Sequence, residues 1–164
     1  MTANELDRYI RHYYSGVYGA ALCGCRNPDD AYDIAQEVFL KLYLYNGEFS
    51  GDEHVKAWLL RCTVNKCRDL LKSHWNRFSR SLDSVEYRTT GSLYDGSGEN
   101  RLLPILMKVS RKNRTALYLH YYEGYTVSEI ADILKISEFA ARARITRGKK
   151  QLKELLESGE YDEL

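Results

Sequence analysis

Proline is scarce in this sequence and long apolar runs are missing. Its 164 residues include 2 prolines and 11 glycines, fewer turn-forming residues than a β-rich fold with many turns needs. No apolar stretch reaches the roughly 18 residues of a membrane-spanning helix. Residues 1–18 carry charged side chains at intervals and lack the continuous apolar core of a signal peptide. We therefore expect a protein that does not insert into a membrane and that works in the cytoplasm.

Motifs for metal binding and catalysis are also missing. Cys23 and Cys25 are separated by one residue and Cys62 and Cys67 by four, spacings unlike those of zinc fingers or ribbons. The histidines are scattered, and no phosphate-binding glycine loop is present. We expect reduced thiols, no metal, no cofactor and no enzymatic activity. A metal site assembled only in the folded chain, or an enzyme using the Cys and His residues, is the open alternative.

The net charge of +1 conceals strongly charged blocks. Residues 28–54 contain seven acids and one base, and residues 55–80 contain seven bases and one acid. Residues 140–153 contain six bases and no acid, whereas residues 154–164 contain five acids and no base. Two separated basic blocks allow a protein to contact a polyanion such as DNA at two places. The alternative is solvated helix faces whose charges are balanced elsewhere.

Apolar residues recur at helical spacing through the first half of the chain. A first helix is predicted over residues 6–21. Asp29 or Asp30 is expected to cap a second helix, which ends at Gly47 because glycine tolerates a left-handed exit. A third helix is predicted over residues 55–75. The first half is thus expected to be a small helical bundle.

The second half is also predicted to be helical, after a polar linker. Residues 79–100 contain five serines and three glycines with few large apolar residues, a composition typical of flexible connections. Short helices are expected over residues 103–109 and 112–122. The prediction is an all-α protein of two small helical domains joined by a flexible linker. Its segments are a first domain at 1–78, a linker at 79–102, a second domain at 103–157 and an acidic tail at 158–164.

Residues 126–147 have the pattern of a helix-turn-helix motif. Thr126 and Glu129 fit a capping box, and Ser137 is expected to cap the second helix. The start of that helix faces base edges in the major groove, where the fork of Arg142 matches the acceptors of guanine. The alternative is a helical hairpin whose arginines only solvate a surface. The residues expected to bind this DNA are Ser137, Glu138, Phe139, Ala140, Arg142, Arg144, Arg147 and Lys149.

The first basic block alternates bases with aromatic side chains. A basic groove with aromatic platforms is typical of single-stranded nucleic-acid binding. Trp58 fits a stacking platform and a core position equally well. The amide of Asn65 fits base reading, although a surface asparagine needs no such role. The phosphate-binding candidates of this block are Arg61, Lys66, Arg68 and Lys72.

The helix ahead of this block carries acids on one face. Asp30, Asp33 and Glu37 are spaced i, i+3, i+7 and so lie on roughly one side. Together with Gln36 they offer acceptors to a basic protein partner. Acids near a helix N-terminus also interact favourably with the helix dipole, which accounts for Asp30 and Asp33 but poorly for Glu37. Partner binding is therefore the hypothesis for this face.

Taken together, these motifs resemble a known protein family. Residues 30–40 (DAYDIAQEVFL), followed by residues 56–59 (KAWL) and Asn65, resemble region two of a bacterial sigma factor. Residues 117–156, centred on 122–131 (YEGYTVSEIA), resemble region four. The order of the two halves and the linker resemble the extracytoplasmic-function group of the sigma-70 family.

The resemblance implies a factor that binds core RNA polymerase and directs it to promoter DNA. The basic helix and the loop at 46–54, with Phe49, Trp58 and Asn65, would recognise and melt the minus-ten element. The helix-turn-helix would bind the minus-thirty-five element as a duplex, and an anti-sigma factor is a further implied partner. The residues that would dock on the polymerase are Asp30, Asp33, Gln36, Glu37 and Phe39. The alternative that the helix-turn-helix alone allows is a stand-alone DNA-binding regulator.

The sequence departs from the family's pattern in the second DNA-binding motif. Phe139 and Ala140 stand where family members often carry Gly-Thr, and Lys135 stands where the turn often has Gly. These departures concern the promoter bases that this helix reads, and the family's residue roles carry over less directly in this motif.

Overall fold

The computed structural model describes residues 1–77 and 102–159, with the backbone alone for residues 74–77. The chain divides into two units, Met1–Val85 and Glu86–Leu164. Every regular element within the described ranges is a helix, which confirms the all-α prediction. The predicted linker, apart from Leu102, and the acidic tail from residue 160 onward lie outside the described residues. The helices are α1 (Ala3–Cys25), α2 (Pro28–Leu44), α3 (Asp52–Arg77), α4 (Leu102–Leu106), α5 (Arg111–Tyr121), α6 (Val127–Leu134) and α7 (Glu138–Ser158).

Helices α1, α2 and α3 pack against one another around one apolar core. Val17 of α1, Leu42 of α2 and Leu59 of α3 are each at most 1% exposed. At the end of α1, a Cβ atom on Gly24 would lie 2.5 Å from Sγ of Cys67. Only glycine therefore lets α1 and α3 approach this closely.

Two predictions about the ends of α2 are wrong. Asn27 caps the helix, because its side-chain oxygen accepts hydrogen bonds from the amides of Asp29 and Asp30 at 2.9 and 3.1 Å. Pro28 occupies the first helical position, where its fixed φ suits a helix start. The helix ends at Leu44, because Tyr45 is extended at φ −75° and ψ 125°. Its exit therefore does not use a left-handed glycine at Gly47.

Asp52 fastens the start of α3 to α1. Its carboxylate accepts hydrogen bonds from Arg8, at 3.0 and 3.4 Å, and from the hydroxyl of Tyr9 at 3.2 Å. The hydrogen bond from Arg8 is the main reason that the pKa of Asp52 lies below its ordinary value. The hydroxyl of Tyr13 donates to the Asp52 backbone carbonyl at 3.3 Å. These contacts fix the loop between α2 and α3 at its far end.

In the second unit, α7 packs on both α5 and α6. Gly148 lets α7 lie close to α5, because a Cβ atom there would lie 2.8 Å from Cγ of Leu117. Arg114, 1% exposed, donates hydrogen bonds to the carbonyls of Met107 and Val109 at 3.2 and 3.0 Å. These bonds fix the turn between α4 and α5, and α4 ends at Leu106 rather than at residue 109 as predicted.

Candidate nucleic-acid and partner-binding surfaces

The acidic face of α2 is largely exposed. Asp33, Gln36 and Glu37 are exposed and Asp30 is half-buried, so four of the five predicted docking residues reach the surface of the first unit. Phe39 is different: it is 5% exposed and its ring stacks on Tyr14 with centroids 6.3 Å apart. The placement of Phe39 on this face is corrected, because packing against α1 takes its ring into the core.

Two exposed leucines on α2 were missed by the sequence reasoning. Leu40 and Leu44 are 58% and 65% exposed. They follow Gln36 at intervals of four residues and therefore continue one row of the helix surface. The sequence does contain a signal for their exposure, because Leu40 and Leu44 fall outside the helical spacing of the core positions Ile34 and Val38. The exposed surface of α2 thus combines acceptors with apolar side chains.

An ion pair joins this acidic face to the basic helix α3. The ammonium of Lys66 lies 2.6 Å from a carboxylate oxygen of Glu37, and the two side chains are 43% and 56% exposed. The hydrogen bond to Glu37 is the main reason that the pKa of Lys66 is raised. One residue of the predicted docking face therefore contacts one residue of the predicted DNA-binding set.

The remaining polar DNA-binding candidates of α3 form one row along the helix. Arg61, Asn65, Arg68 and Lys72 are spaced by four, three and four residues, which places them on one side of an α-helix. Lys72 is exposed and the other three are half-buried. The Nε atom of Arg61 is buried and has no hydrogen-bond partner among the described residues. The row offers cationic and amide groups to a ligand that runs along the helix.

Aromatic rings gather where the loop after α2 meets α3. The ring centroid of Phe49 lies 5.7 Å from that of Trp58, and both side chains are half-buried. Tyr45 lies 5.1 Å from each of them, and the ammonium of Lys41 lies 5.7 Å from the Trp58 ring. Sequence reasoning missed Tyr45, whose ring folds over Gly47. The cluster is a partly open aromatic surface beside a cation.

The helix-turn-helix of the second unit is built as predicted. The side-chain oxygen of Thr126 accepts from the amide of Glu129 at 3.2 Å, and Glu129 accepts from the amide of Thr126 at 3.1 Å. Lys135 makes the turn in the left-handed conformation, with φ 54°. Ser137 caps α7 by accepting from the amide of Ala140 at 3.0 Å.

The side chains at the start of α7 divide by exposure. Ala141 and Ile145 are buried, and Ala140 and Arg144 are half-buried. Ser137 is exposed, but its hydroxyl is engaged in the cap. The exposed members of the predicted DNA-binding set are Ser137, Glu138, Phe139, Arg142, Arg147 and Lys149. The structure thus brings acidic, aromatic and basic groups together on the outward side of α7.

An apolar groove on the second unit was not found from the sequence. It has a volume of about 310 Å³ and lies between α4, α5 and the C-terminal half of α7. Leu106, Leu117 and Leu152 line it, and Lys149 and Lys153 stand at its edge. The lysines are exposed, so the groove is apolar inside and cationic outside.

The described residues contain no group of three His, Cys, Asp or Glu side chains placed to hold a metal ion. No helix in the described part of the chain is long and apolar enough to cross a membrane. No disulfide joins the four cysteines in the structure: Cys23, Cys62 and Cys67 are buried and Cys25 is half-buried.

Two helical units, one with a basic helix and one with a helix-turn-helix, define a class of DNA-binding transcription protein. Family comparison agrees: residues 9–77 match sigma-70 region 2, and residues 100–152 match sigma-70 region 4. The RNA polymerase sigma factor CarQ of Myxococcus xanthus is 30% identical over 154 residues, covering 92% of this chain and 87% of CarQ. The ECF sigma factor SigM of Bacillus subtilis is 25% identical, covering 96% and 99%.

Solved structures have the same fold. The sigma factor RpoE of Bartonella quintana, in complex with the anti-sigma factor NepR, has a TM-score of 0.75 at 18% identity, covering 94% of this chain and 98% of RpoE. CnrH, in complex with the cytosolic domain of CnrY, has a TM-score of 0.65 at 21% identity, covering 96% and 90%. These likenesses extend over both units of the fold.

The chain belongs to the extracytoplasmic-function group of the sigma-70 family, and it is an RNA polymerase sigma factor that directs promoter recognition. Members of this family are transcription initiation factors rather than enzymes. The match to region 2 favours this function over that of a stand-alone regulator, which needs only the helix-turn-helix.

Proposed function

We propose that the exposed face of α2 binds core RNA polymerase. Asp33, Gln36 and Glu37 supply exposed acceptors to a basic surface, with Asp30 at its edge. Leu40 and Leu44 supply exposed apolar surface, and its burial against the polymerase favours docking. The observation that carries this assignment is the combination of charge and apolar exposure on one helix.

The row on α3 and the aromatic cluster are proposed to bind the melted strand of the minus-ten element. Arg61, Lys66, Arg68 and Lys72 neutralise its phosphates, and Asn65 contacts a base edge. Phe49 and Trp58 provide aromatic rings on which an unstacked base can pack, because every base has a π-face that stacks on an aromatic ring. Unstacking costs roughly a few kcal/mol, which contacts to the freed strand offset.

Helix α7 is proposed to bind the minus-thirty-five element as a duplex. Its first turn enters the major groove with Glu138, Phe139 and Arg142 toward the bases. Arg144, Arg147 and Lys149 hold phosphates and set the register. Ser137 and Ala140 contribute through the cap, which orients the first turn.

The protein is further proposed to work in the cytoplasm, without catalysis of its own, cofactor or metal. An anti-sigma factor is a proposed partner, because the fold is similar to that of RpoE in its complex with the anti-sigma factor NepR. The apolar groove of the second unit, edged by Lys149 and Lys153, suits a partner segment that carries apolar and acidic side chains.

A charge-reversal experiment tests the docking assignment. Asp33→Arg combined with Glu37→Arg is expected to abolish co-migration with core polymerase on size-exclusion chromatography, while the far-ultraviolet circular dichroism is unchanged. Asp7→Arg is the matched control, because Asp7 is an exposed acid on α1 of the same unit. Unchanged polymerase binding by the double variant would move the docking surface away from α2.

A further inference from the structure

Phe139 is the most exposed large apolar side chain in the described part of the protein. It is 84% exposed, compared with 65% for Leu44, the next in order. It is the second residue of α7, directly after the turn of the helix-turn-helix. With 84% of its surface in water, the phenyl ring contributes little apolar burial to its own unit, so packing within the fold does not account for it.

The side chains around Phe139 leave it prominent in the first turn. The hydroxyl of Ser137 is engaged with the amide of Ala140, and Ala140 and Ala141 turn toward the unit. Glu138 and Phe139 are the exposed side chains of the first turn, and Arg142 follows Phe139 by three residues on the same side. An apolar ring thus stands beside a guanidinium at the helix end that enters the groove.

The chemistry of the major groove limits what this ring can contact. Base edges there present hydrogen-bond donors and acceptors, and the 5-methyl group of thymine is their one apolar feature. A phenyl ring placed on a polar edge would strip water from groups that it cannot hydrogen-bond. A phenyl ring on a thymine methyl removes apolar surface from water on both sides.

From this we infer that Phe139 is a specificity-determining residue, which selects a thymine in the minus-thirty-five duplex through contact with its 5-methyl group. The inference rests on the proposed function of α7 and adds the base that one side chain selects. Phe139 stands where family members often carry another residue, so the preference belongs to this chain.

Replacing thymine by uracil tests the inference, because the two bases differ only in the methyl group. A minus-thirty-five element is first selected from random duplexes with the holoenzyme formed from core polymerase and this protein. Each thymine of the selected element is then replaced by uracil in turn. One position is expected to lose about fourfold in affinity, as the loss of one buried methyl group predicts.

Variants at Phe139 assign the effect to this side chain. Phe139→Ala is expected to bind the thymine and uracil duplexes equally at that position, and Phe139→Leu to keep part of the preference. Because the side chain is exposed, both variants should fold as the wild type does, as circular dichroism will verify.

Three outcomes overturn the inference. Equal binding of thymine and uracil duplexes at every position, with promoter binding intact, shows that no methyl group is read. A thymine preference that persists in Phe139→Ala assigns the methyl contact to another residue. A holoenzyme that selects no upstream element at all removes the proposed function of α7, and the inference falls with it.

Discussion

The Nζ atom of Lys66 and a carboxylate oxygen of Glu37 lie 2.6 Å apart and join α3 to α2. Glu37 belongs to the face assigned to polymerase, and Lys66 to the helix assigned to DNA. Each of the two residues is therefore already paired within the first unit, and a ligand that binds either of them has to replace that ion pair. If polymerase binds Glu37 as proposed, it has to break this ion pair and release Lys66, which would link the two proposed functions.

Removing the charge of Glu37 is expected to make Lys66 available in the free protein. Glu37→Gln should raise the affinity of the free protein for a fluorescent single-stranded minus-ten oligonucleotide about threefold, in line with an exposed pair worth under about 1 kcal/mol. Asp33→Asn is the matched control, because it removes one negative charge from the same helix without breaking this pair. Fluorescence anisotropy measures both variants. An equal gain in both would mean that net charge alone sets the affinity.

The pKa of Asp52 predicts how the first unit depends on pH. Hydrogen bonding from Arg8 lowers this pKa below the ordinary value of 3.8. A carboxyl group whose pKa is lowered by folding stabilises the fold above its unfolded pKa, and that stabilisation is lost as the pH falls through the lowered value. Asp52→Asn should therefore reduce stability at neutral pH, with a difference that shrinks below pH 3.8.

Urea unfolding followed by tryptophan fluorescence measures this difference, because both tryptophans, Trp58 and Trp75, belong to the first unit. Asp7→Asn is the control, since the ion pair of Asp7 with Arg11 lies within one helix. A difference between wild type and Asp52→Asn that stays constant from neutral to acidic pH would contradict the role given to Arg8.

The close crossing of α1 and α3 predicts a cost at Gly24. A Cβ atom on residue 24 would lie 2.5 Å from Sγ and 2.7 Å from Cβ of Cys67. Gly24→Ala should destabilise the first unit by about 1–3 kcal/mol through overpacking, although alanine is the better helix former. Ser15→Ala, an exposed site on the same helix, should change stability little. Urea unfolding that shows Gly24→Ala as stable as wild type would contradict the tight crossing.

In the second unit, a substitution to glycine at Lys135 is expected to increase stability, opposite to the effect of Gly24→Ala. Its φ of 54° is left-handed, a conformation that costs a side-chain-bearing residue roughly 1 kcal/mol. Lys135→Gly should therefore slow hydrogen exchange in α6 and α7, as mass spectrometry of peptides will measure. Lys150→Gly, within α7, should speed it, because glycine disfavours a helix interior by about 1 kcal/mol. Faster exchange in Lys135→Gly would contradict the strain assigned to this turn.

Local signals explain most of what the sequence predicted. The caps at Thr126 and Ser137 each join a side-chain oxygen to the backbone amide three residues further along, so their pattern can be recognised in the sequence. The helical spacing of apolar residues also predicts α2 and α3. The two helical units follow from these local patterns.

Features that the sequence did not reveal depend on competition or on distant contacts. Three neighbouring residues are good capping residues, namely Asn27, Asp29 and Asp30. Pro28 favours Asn27 among them, because proline suits the first helical position and the cap then precedes it. Phe39 and Leu40 adjoin in the same motif, but packing on Tyr14 buries only Phe39. The ion pair between Glu37 and Lys66 joins two helices and has no periodic trace. The choice of cap is local, whereas the burial of Phe39 and the ion pair of Glu37 with Lys66 are set by packing between helices.

Transcription with purified components tests the central assignment most directly. The protein is mixed with bacterial core RNA polymerase and a library of promoter-length DNA, and the transcripts are sequenced. We expect defined start sites whose templates share two upstream elements, and the loss of those starts in the Asp33→Arg, Glu37→Arg variant. No defined starts, together with no co-migration with core polymerase from the source organism, would contradict the assignment of this chain as a promoter-directing factor.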